Sequence, residues 1–409
     1  MARTQLGKQA LFLVGSTALA QVTYALVYLI AARDAPVAEF GAVAAAIALG
    51  TAAAGYLDFG TNALWVREVA KGELSLSRLS SLTITKLLIA FFVALIWAVA
   101  WLSAAPNSSM WLAGPAGATL LLSQTMQVPL RGAALIERVA ISIVADRAVV
   151  LVILLTFIAA AAPASISLGI AVITGPAVSG ILCHLLTPPG QRIRFKIDKP
   201  ANPWEGAAGY GVASAAVGSQ SLDATILNLT SGGASAGAYA AVGRWLQPFG
   251  MLANAFASVS IPHVAKAPSF REGIRIARKS LWLLIMAAAG CLCVIPLAPW
   301  AVGTLLGPTY TASIPVLQIM SIGMLAAIAN QPLATILQSR GYDKGVSAVI
   351  AIGVAIQLTT VAAFAPYMGA TAGALGFATM QILLLAVLSM LTARIFRREH
   401  PNDRNENHV

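Results

Sequence analysis

Apolar runs, each about the length that crosses a bilayer, follow one another along almost the whole chain, and polar residues gather in the gaps between them. A helix needs roughly 20 apolar residues to span about 30 Å of hydrocarbon. On that measure the pattern predicts twelve spans, at 10–32, 40–65, 82–104, 111–135, 140–162, 165–187, 205–230, 234–262, 278–300, 312–337, 345–366 and 370–394. The gaps alternate in charge: those at 67–86, 131–147, 188–203, 263–279, 338–344 and 394–409 are basic, whereas 103–111, 159–167, 231–237, 298–313 and 365–371 hold no Lys or Arg. Short cytoplasmic loops retain Lys and Arg, so both ends are expected inside. Arg33, in the first outer connection, and Arg244, inside an apolar run, depart from the alternation.

Composition points the same way. The chain of 409 residues is 58% hydrophobic and 10% charged, against about 25% charged in soluble domains, so the expected class is an all-α integral membrane protein. A net charge of +11 would suggest nucleic acid in a soluble protein. Here inner-loop charge facing anionic headgroups explains it, so membrane lipids are expected partners and nucleic acid is not. The first run, Ala10 to Ala32, exceeds the roughly 7–15 residues of a signal h-region and reads as helix 1. Cys183, Cys291 and Cys293 all lie in apolar runs and support neither a disulfide framework nor a zinc site. The chain has no Gly-x-x-x-x-Gly-Lys-Ser/Thr phosphate loop and no histidine pair at ligand spacing. No enzymatic activity or cofactor is therefore expected, beyond a coupling ion of unspecified identity.

The longest inner connection, Pro188 to Pro203, carries Arg192, Arg194, Lys196 and Lys199 among four prolines. It divides the chain into a first lobe at 1–187, a basic cytoplasmic linker at 188–203, a second lobe at 204–396 and a cytoplasmic tail at 397–409. Short matches recur in register: Arg67-Glu68-Val69-Ala70-Lys71 with Pro262-His263-Val264-Ala265-Lys266, and Gln127-Val128-Pro129-Leu130 with Gln331-Pro332-Leu333. Six helices per half make the repeat parallel, which predicts two lobes with a pathway between them. Pro129, Pro248 and Pro332 fall inside predicted spans, where a missing backbone donor bends or breaks a helix. Gly369, Gly373, Ala372 and Gly376 suit close helix contact.

Polar residues within the spans line up at spacings of three and four. The stripes are Thr17, Gln21, Tyr24 and Tyr28; Gln124, Gln127, Arg131 and Arg138; Gln220, Asp223 and Thr230; and Arg244, Gln247, Met251, Asn254 and Ser258. A charge at the bilayer centre costs at least roughly 2.5–3.5 kcal/mol, which makes Asp223 and Arg244 the foremost site candidates. Counted from the outer turn near 231–233, they lie about 12 and 17 Å deep. They either form a structural pair, or Arg244 offers its donor fork to an anion, phosphate fitting best, while Asp223 orients it. Asp58 and the Asp146-Arg147 pair read as boundary charges that snorkel to the interface.

Several motifs carry a family resemblance. They are Glu39-Phe40-Gly41, Leu57-Asp58-Phe59-Gly60 leading to Val66-Arg67-Glu68-Val69-Ala70-Lys71, Leu306-Gly307-Pro308-Thr309-Tyr310, Leu337-Gln338-Ser339-Arg340-Gly341-Tyr342-Asp343-Lys344 and Gly369-Ala370-Thr371-Ala372-Gly373-Ala374. Together with Asp223 and with Ala238-Tyr239 before Arg244, they resemble the bacterial polysaccharide (O-antigen-type) flippases of the multidrug/oligosaccharidyl-lipid/polysaccharide exporter superfamily. The resemblance implies a multidrug-and-toxin-extrusion-like fold of twelve helices in a bacterial inner membrane. It also implies movement of a polyprenyl-diphosphate-linked oligosaccharide to the outer leaflet by alternating access, alongside polysaccharide polymerase or ligase machinery. A cationic cavity would bind the diphosphate and sugars. Arg244 best fits that role, with Arg33, Arg67 and Arg131 as further candidates and Asp223, Gln21, Tyr24, Gln124, Gln127, Gln247 and Asn254 around them. Gln21 stands where many drug exporters of the superfamily have a helix-1 carboxylate. The alternatives are a cation-coupled drug exporter and a non-transporting accessory of polysaccharide assembly.

Overall fold

A computed structural model describes residues 2–195, 201–253, 256, 275, 281–339 and 341–399, and of these the side chains from Gly15 onward other than 339, 343 and 396–399. Among these residues every regular element is a helix. Nine helices of the described residues are long and apolar enough to cross a membrane, and the chain is a multi-pass membrane protein. We number the helices α1 (Ala2–Asp34), α2 (Val37–Asp58), α3 (Thr61–Lys71), α4 (Leu76–Ala104), α5 (Ala113–Met126), α6 (Val128–Gly132), α7 (Ile136–Ala159) and α8 (Ala164–Leu186). After the basic connection come α9 (Ala208–Ser219), α10 (Leu222–Gly243), α11 (Leu281–Leu305), α12 (Ser313–Ser339), α13 (Asp343–Met368) and α14 (Ala370–Glu399).

The nine long helices overlap nine predicted spans, although the one predicted at 40–65 ends at Asp58 and turns through Phe59 and Gly60, both at positive φ, into α3. The others, at 111–135, 205–230 and 234–262, are broken, each beside residues of the polar stripes. Span 111–135 becomes a short 3₁₀ turn at Ser109–Leu112, then α5, then α6 after a break at Gln127. Pro129 sits in the first turn of α6, where its missing N–H costs no hydrogen bond. Span 205–230 breaks at Gln220 and Ser221, between α9 and α10. Span 234–262 breaks at 244–246 before helix resumes over 247–253, with Pro248 in that resumed turn. Pro332, by contrast, lies inside an unbroken α12. Irregular backbone at membrane depth is tolerated where protein or a cavity covers it.

Gly232, at φ 80° and ψ 169°, folds α10 back on itself. The Tyr239 hydroxyl donates to Asp223 Oδ2 although 16 residues separate them. A straight helix would hold residues that far apart by about 24 Å. The predicted outer turn is therefore a hairpin within α10, made by the one residue type that enters the left-handed region without penalty.

Helix α2 is the centre of the architecture, packing against α10, α5 and α9. It approaches α10 backbone to backbone: a Cβ built on Gly41 would lie 1.9 Å from the Gly233 carbonyl oxygen and 2.4 Å from the Gly237 nitrogen. Small residues permit such contact, which replaces hydrophobic drive with dense packing inside a membrane. Further along, Gly55 meets Gly218 of α9, and the Tyr56 hydroxyl is 2.7 Å from Ser219 Oγ. Gly373 and Gly376 of α14 pack on Tyr239 and Val361, filling the close-contact role read from their spacing.

Candidate functional site

The central cavity, about 420 Å³, lies where α2 faces the breaks at both ends of α10. Ala44, Ala48 and Thr51 of α2 form one wall; Gln220, Ser221, Asp223, Tyr239, Arg244 and Gln247 form the opposite one. Tyr28, Met320, Met324, Gln357 and Phe377 close the remainder. The broken backbone places both foremost candidates here, Asp223 in the first turn of α10 and Arg244 just past its last.

Their neighbours divide the two charges between different tasks. Asp223 accepts from the Tyr239 hydroxyl, from Gln357 Nε2 at 3.2 Å and from the Ala224 amide at 2.6 Å. Asp223 and Arg244 are not within ion-pair distance of each other, and no carboxylate of the described residues lies within 4.0 Å of Arg244. The Arg244 guanidinium instead sits 5.1 Å from the ring centroids of both Tyr24 and Tyr28. The two rings and the Tyr28 hydroxyl hold the guanidinium, which has five donors and so keeps others of its fork for a planar anion. Arg147 approaches the same Tyr24 ring at 4.0 Å, which brings a second cation to that tyrosine.

A second cavity, about 500 Å³, is lined by Asp58, Asn62, Ala63, Val66, Gln124, Gln127, Val128 and Arg131. Arg131 donates to Gln127 Oε1 through Nε at 3.2 Å and Nη2 at 2.8 Å. Behind the cavity, Lys86 of α4 is fully buried, with its side chain 0% exposed. Its ammonium donates to Asp58 Oδ1 at 3.1 Å, Thr61 Oγ1 at 2.8 Å and Asn62 Oδ1 at 2.8 Å, and lies 4.3 Å from the Trp65 ring centroid. All three ammonium protons are thereby used.

The predicted site residues thus fall into separate places. Arg244, Asp223 and Gln247 share the central cavity, with Tyr24 directly behind Arg244. Gln124, Gln127 and Arg131 share the second. Gln21 is half-buried, its Oε1 without a hydrogen-bond partner among the described residues. Arg33 is exposed at the end of α1. Arg67 is exposed on α3 and donates to the Tyr210 hydroxyl at 3.0 Å, which raises its already high pKa. Neither lines either cavity. Asn254 and Ser258 lie outside the described residues, as do His263, Lys266 and Arg340.

Two expectations are corrected. Asp58 is buried, and so is Asp146, so neither snorkels. Lys86 of α4 holds Asp58 inside, and Asp146 lies 3.8 Å from its chain neighbour Arg147, itself turned inward onto Tyr24 of α1. Lys86 belonged in the sequence to a basic gap, and only the fold reveals it as an interior charge. Gln357 of α13, outside the predicted stripes, donates to Asp223 and lines the central cavity.

No family model and no curated protein sequence matches this chain. Solved structures do. The chain is similar to the lipid II flippase MurJ in an inward closed conformation, with a TM-score of 0.76 and 11% identity, over 94% of this chain and 87% of that one. It is also similar to an inward-facing multidrug resistance MATE family transporter of the MOP superfamily, with a TM-score of 0.69 and 15% identity, over 94% and 96% of the two chains. An outward-facing structure described in the same terms gives a TM-score of 0.53 at 14% identity, over 95% of each. The chain has the fold that these MATE and MurJ transporters share.

Proposed function

We propose that this chain is a flippase that carries a polyprenyl-diphosphate-linked oligosaccharide from the cytoplasmic to the outer leaflet, for cell-surface polysaccharide synthesis. The observation that carries this reading is the Arg244 guanidinium, set in the central cavity against two tyrosine rings with no carboxylate partner among the described residues. The acid nearest in the same cavity is occupied by Tyr239, Gln357 and a backbone amide. Charge-assisted, bidentate bonds from Arg to phosphate are the strong kind, and a dry cavity strengthens them.

In this reading the chain forms two six-helix lobes in a bacterial inner membrane, both termini cytoplasmic, joined by the basic connection at 188–203. The lobes rock to expose the cavity to either side while the polyprenyl tail stays in lipid. No ATP is needed; a coupling ion remains part of the proposal without an identity. Polymerase or ligase machinery would take the delivered glycan.

The second reading is a cation-coupled exporter of small molecules, favoured by Asp223 in the cavity wall and by the fold shared with a MATE transporter. Deletion of the protein with complementation by wild type or by Arg244→Ala separates the two. Lipid-linked oligosaccharide accumulating on the inner leaflet, cleared by wild type and not by Arg244→Ala at equal expression, supports the flippase. Absence of accumulation, with heightened sensitivity to cationic compounds, supports the exporter.

A further inference from the structure

The second cavity is lined by side chains that offer hydrogen-bond donors and acceptors side by side. Its polar wall is planar and two-signed: Asp58, Asn62, Gln124, Gln127 and Arg131 each present flat forks of donors or acceptors. The charge of Asp58 is offset by Lys86, and Arg131 keeps its charge while part of its fork is committed to the neutral Gln127 amide. Arg131 spends Nε and Nη2 on Gln127, and Asp58 Oδ1 takes Lys86, the Thr61 hydroxyl and the Asn62 amide. The exposed Gln124 amide and the rest of the Arg131 fork add donors and acceptors side by side, as vicinal hydroxyl groups require.

Its position extends the central cavity. Thr51 lines the central cavity and Asp58 the second. Seven residues apart on α2, they share one helix face and are separated by about 10 Å along its axis. A head group anchored at Arg244 can therefore reach the second cavity by running along α2. At about 500 Å³ this cavity is within the roughly 300–1,000 Å³ of sites that enclose a small organic ligand.

We infer that the second cavity is the glycan subsite: Arg244 holds the diphosphate, and Gln124, Asn62 and Arg131 hold sugars beyond the first. This rests on the flippase reading and adds a consequence that reading lacks. The protein senses glycan length, because a single sugar ends before the second cavity and a longer glycan occupies it.

The test uses the purified full-length protein in proteoliposomes, with synthetic polyprenyl diphosphates bearing either one sugar or three, and compares their initial rates of translocation. Gln124→Ala removes an amide from the wall; Ala63→Phe, at an exposed position of α3, fills the cavity without touching a hydrogen bond. Each variant is expected to lower the trisaccharide-to-monosaccharide rate ratio about ten-fold, the equivalent of one or two lost hydrogen bonds. An unchanged ratio in variants that still translocate would overturn the glycan subsite and leave the flippase standing. Wild-type protein that moves neither carrier would overturn the flippase and the subsite together.

Discussion

The two cavities contain the same pair of charged residue types, one Asp and one Arg, and their neighbours give the pairs opposite work. In the central cavity the acid accepts from Tyr239, Gln357 and a backbone amide, while Arg244 lies against Tyr24 and Tyr28 with no carboxylate within 4.0 Å among the described residues. In the second, a buried lysine claims the acid, and Gln127 claims two nitrogens of the guanidinium. Burial of a charge is costly unless it is paired and hydrogen-bonded. The Lys86–Asp58 pair is complete and structural. Of the two arginines without a carboxylate within 4.0 Å among the described residues, Arg131 has part of its fork committed to Gln127, whereas Arg244 has no such side-chain amide and is the one kept for an anion that arrives from outside.

That contrast can be broken from either side. The largest effect is expected for Lys86→Ala, which strands Asp58 and its hydroxyl and amide neighbours in the interior. Breaking a buried pair costs about 3–5 kcal/mol, so the detergent-solubilised protein should melt well below wild type, and the Lys86→Met/Asp58→Asn double variant should recover most of the difference. A melting temperature unmoved by Lys86→Ala would mean that the ammonium is dispensable to the fold.

Arg244→Ala should do the reverse, slowing translocation with little change in melting temperature. Charge-assisted hydrogen bonds contribute about 1.5–3 kcal/mol each, so a rate loss of roughly 10- to 150-fold is expected per bond lost. Arg244→Lys, which keeps the charge and loses the fork, should fall between. A strongly destabilised but fully active Arg244→Ala protein would reverse the contrast.

A smaller effect is expected of Gln357→Ala, which removes one of three described donors to Asp223; about 1 kcal/mol of stability is at stake. Arg67→Ala, exposed and bound only to a tyrosine hydroxyl, should change both melting temperature and transport least, within about 0.5 kcal/mol. A transport defect in Arg67→Ala without loss of stability would restore that residue to the pathway.

Much of the fold is legible in the chain because lipid imposes a length and a polarity on every span. Nine spans needed nothing more. The remaining three announce themselves through Gln127 and Pro129, Gln220, and Arg244 with Pro248, yet polar spacing alone does not say whether such residues sit on an intact helix or interrupt one. Arg244 was legible because a lone charge in an apolar run has no bland explanation. Lys86 and Asp58 were not: 28 residues separate them, each lies near the end of a run where snorkelling is ordinary, and the pairing exists only after α2 and α4 meet. The backbone contact of Gly41 with α10 left no polar signal, since a glycine in an apolar run looks like any other small residue until a neighbour occupies the place of its missing side chain.

The broken spans also bear on how the chain enters the membrane. Helix α9 has 12 residues, about 18 Å of helix, too short for the roughly 30 Å of hydrocarbon. Its span is completed only by α10, across a turn at Gln220 and Ser221 whose N–H groups bond back to Ala216 and Gly218, and such an interrupted segment needs cover at membrane depth. It requires a surface already in place. Helix α2, which it packs against, leaves the ribosome far earlier, so the order of synthesis supplies the partner before the segment that depends on it.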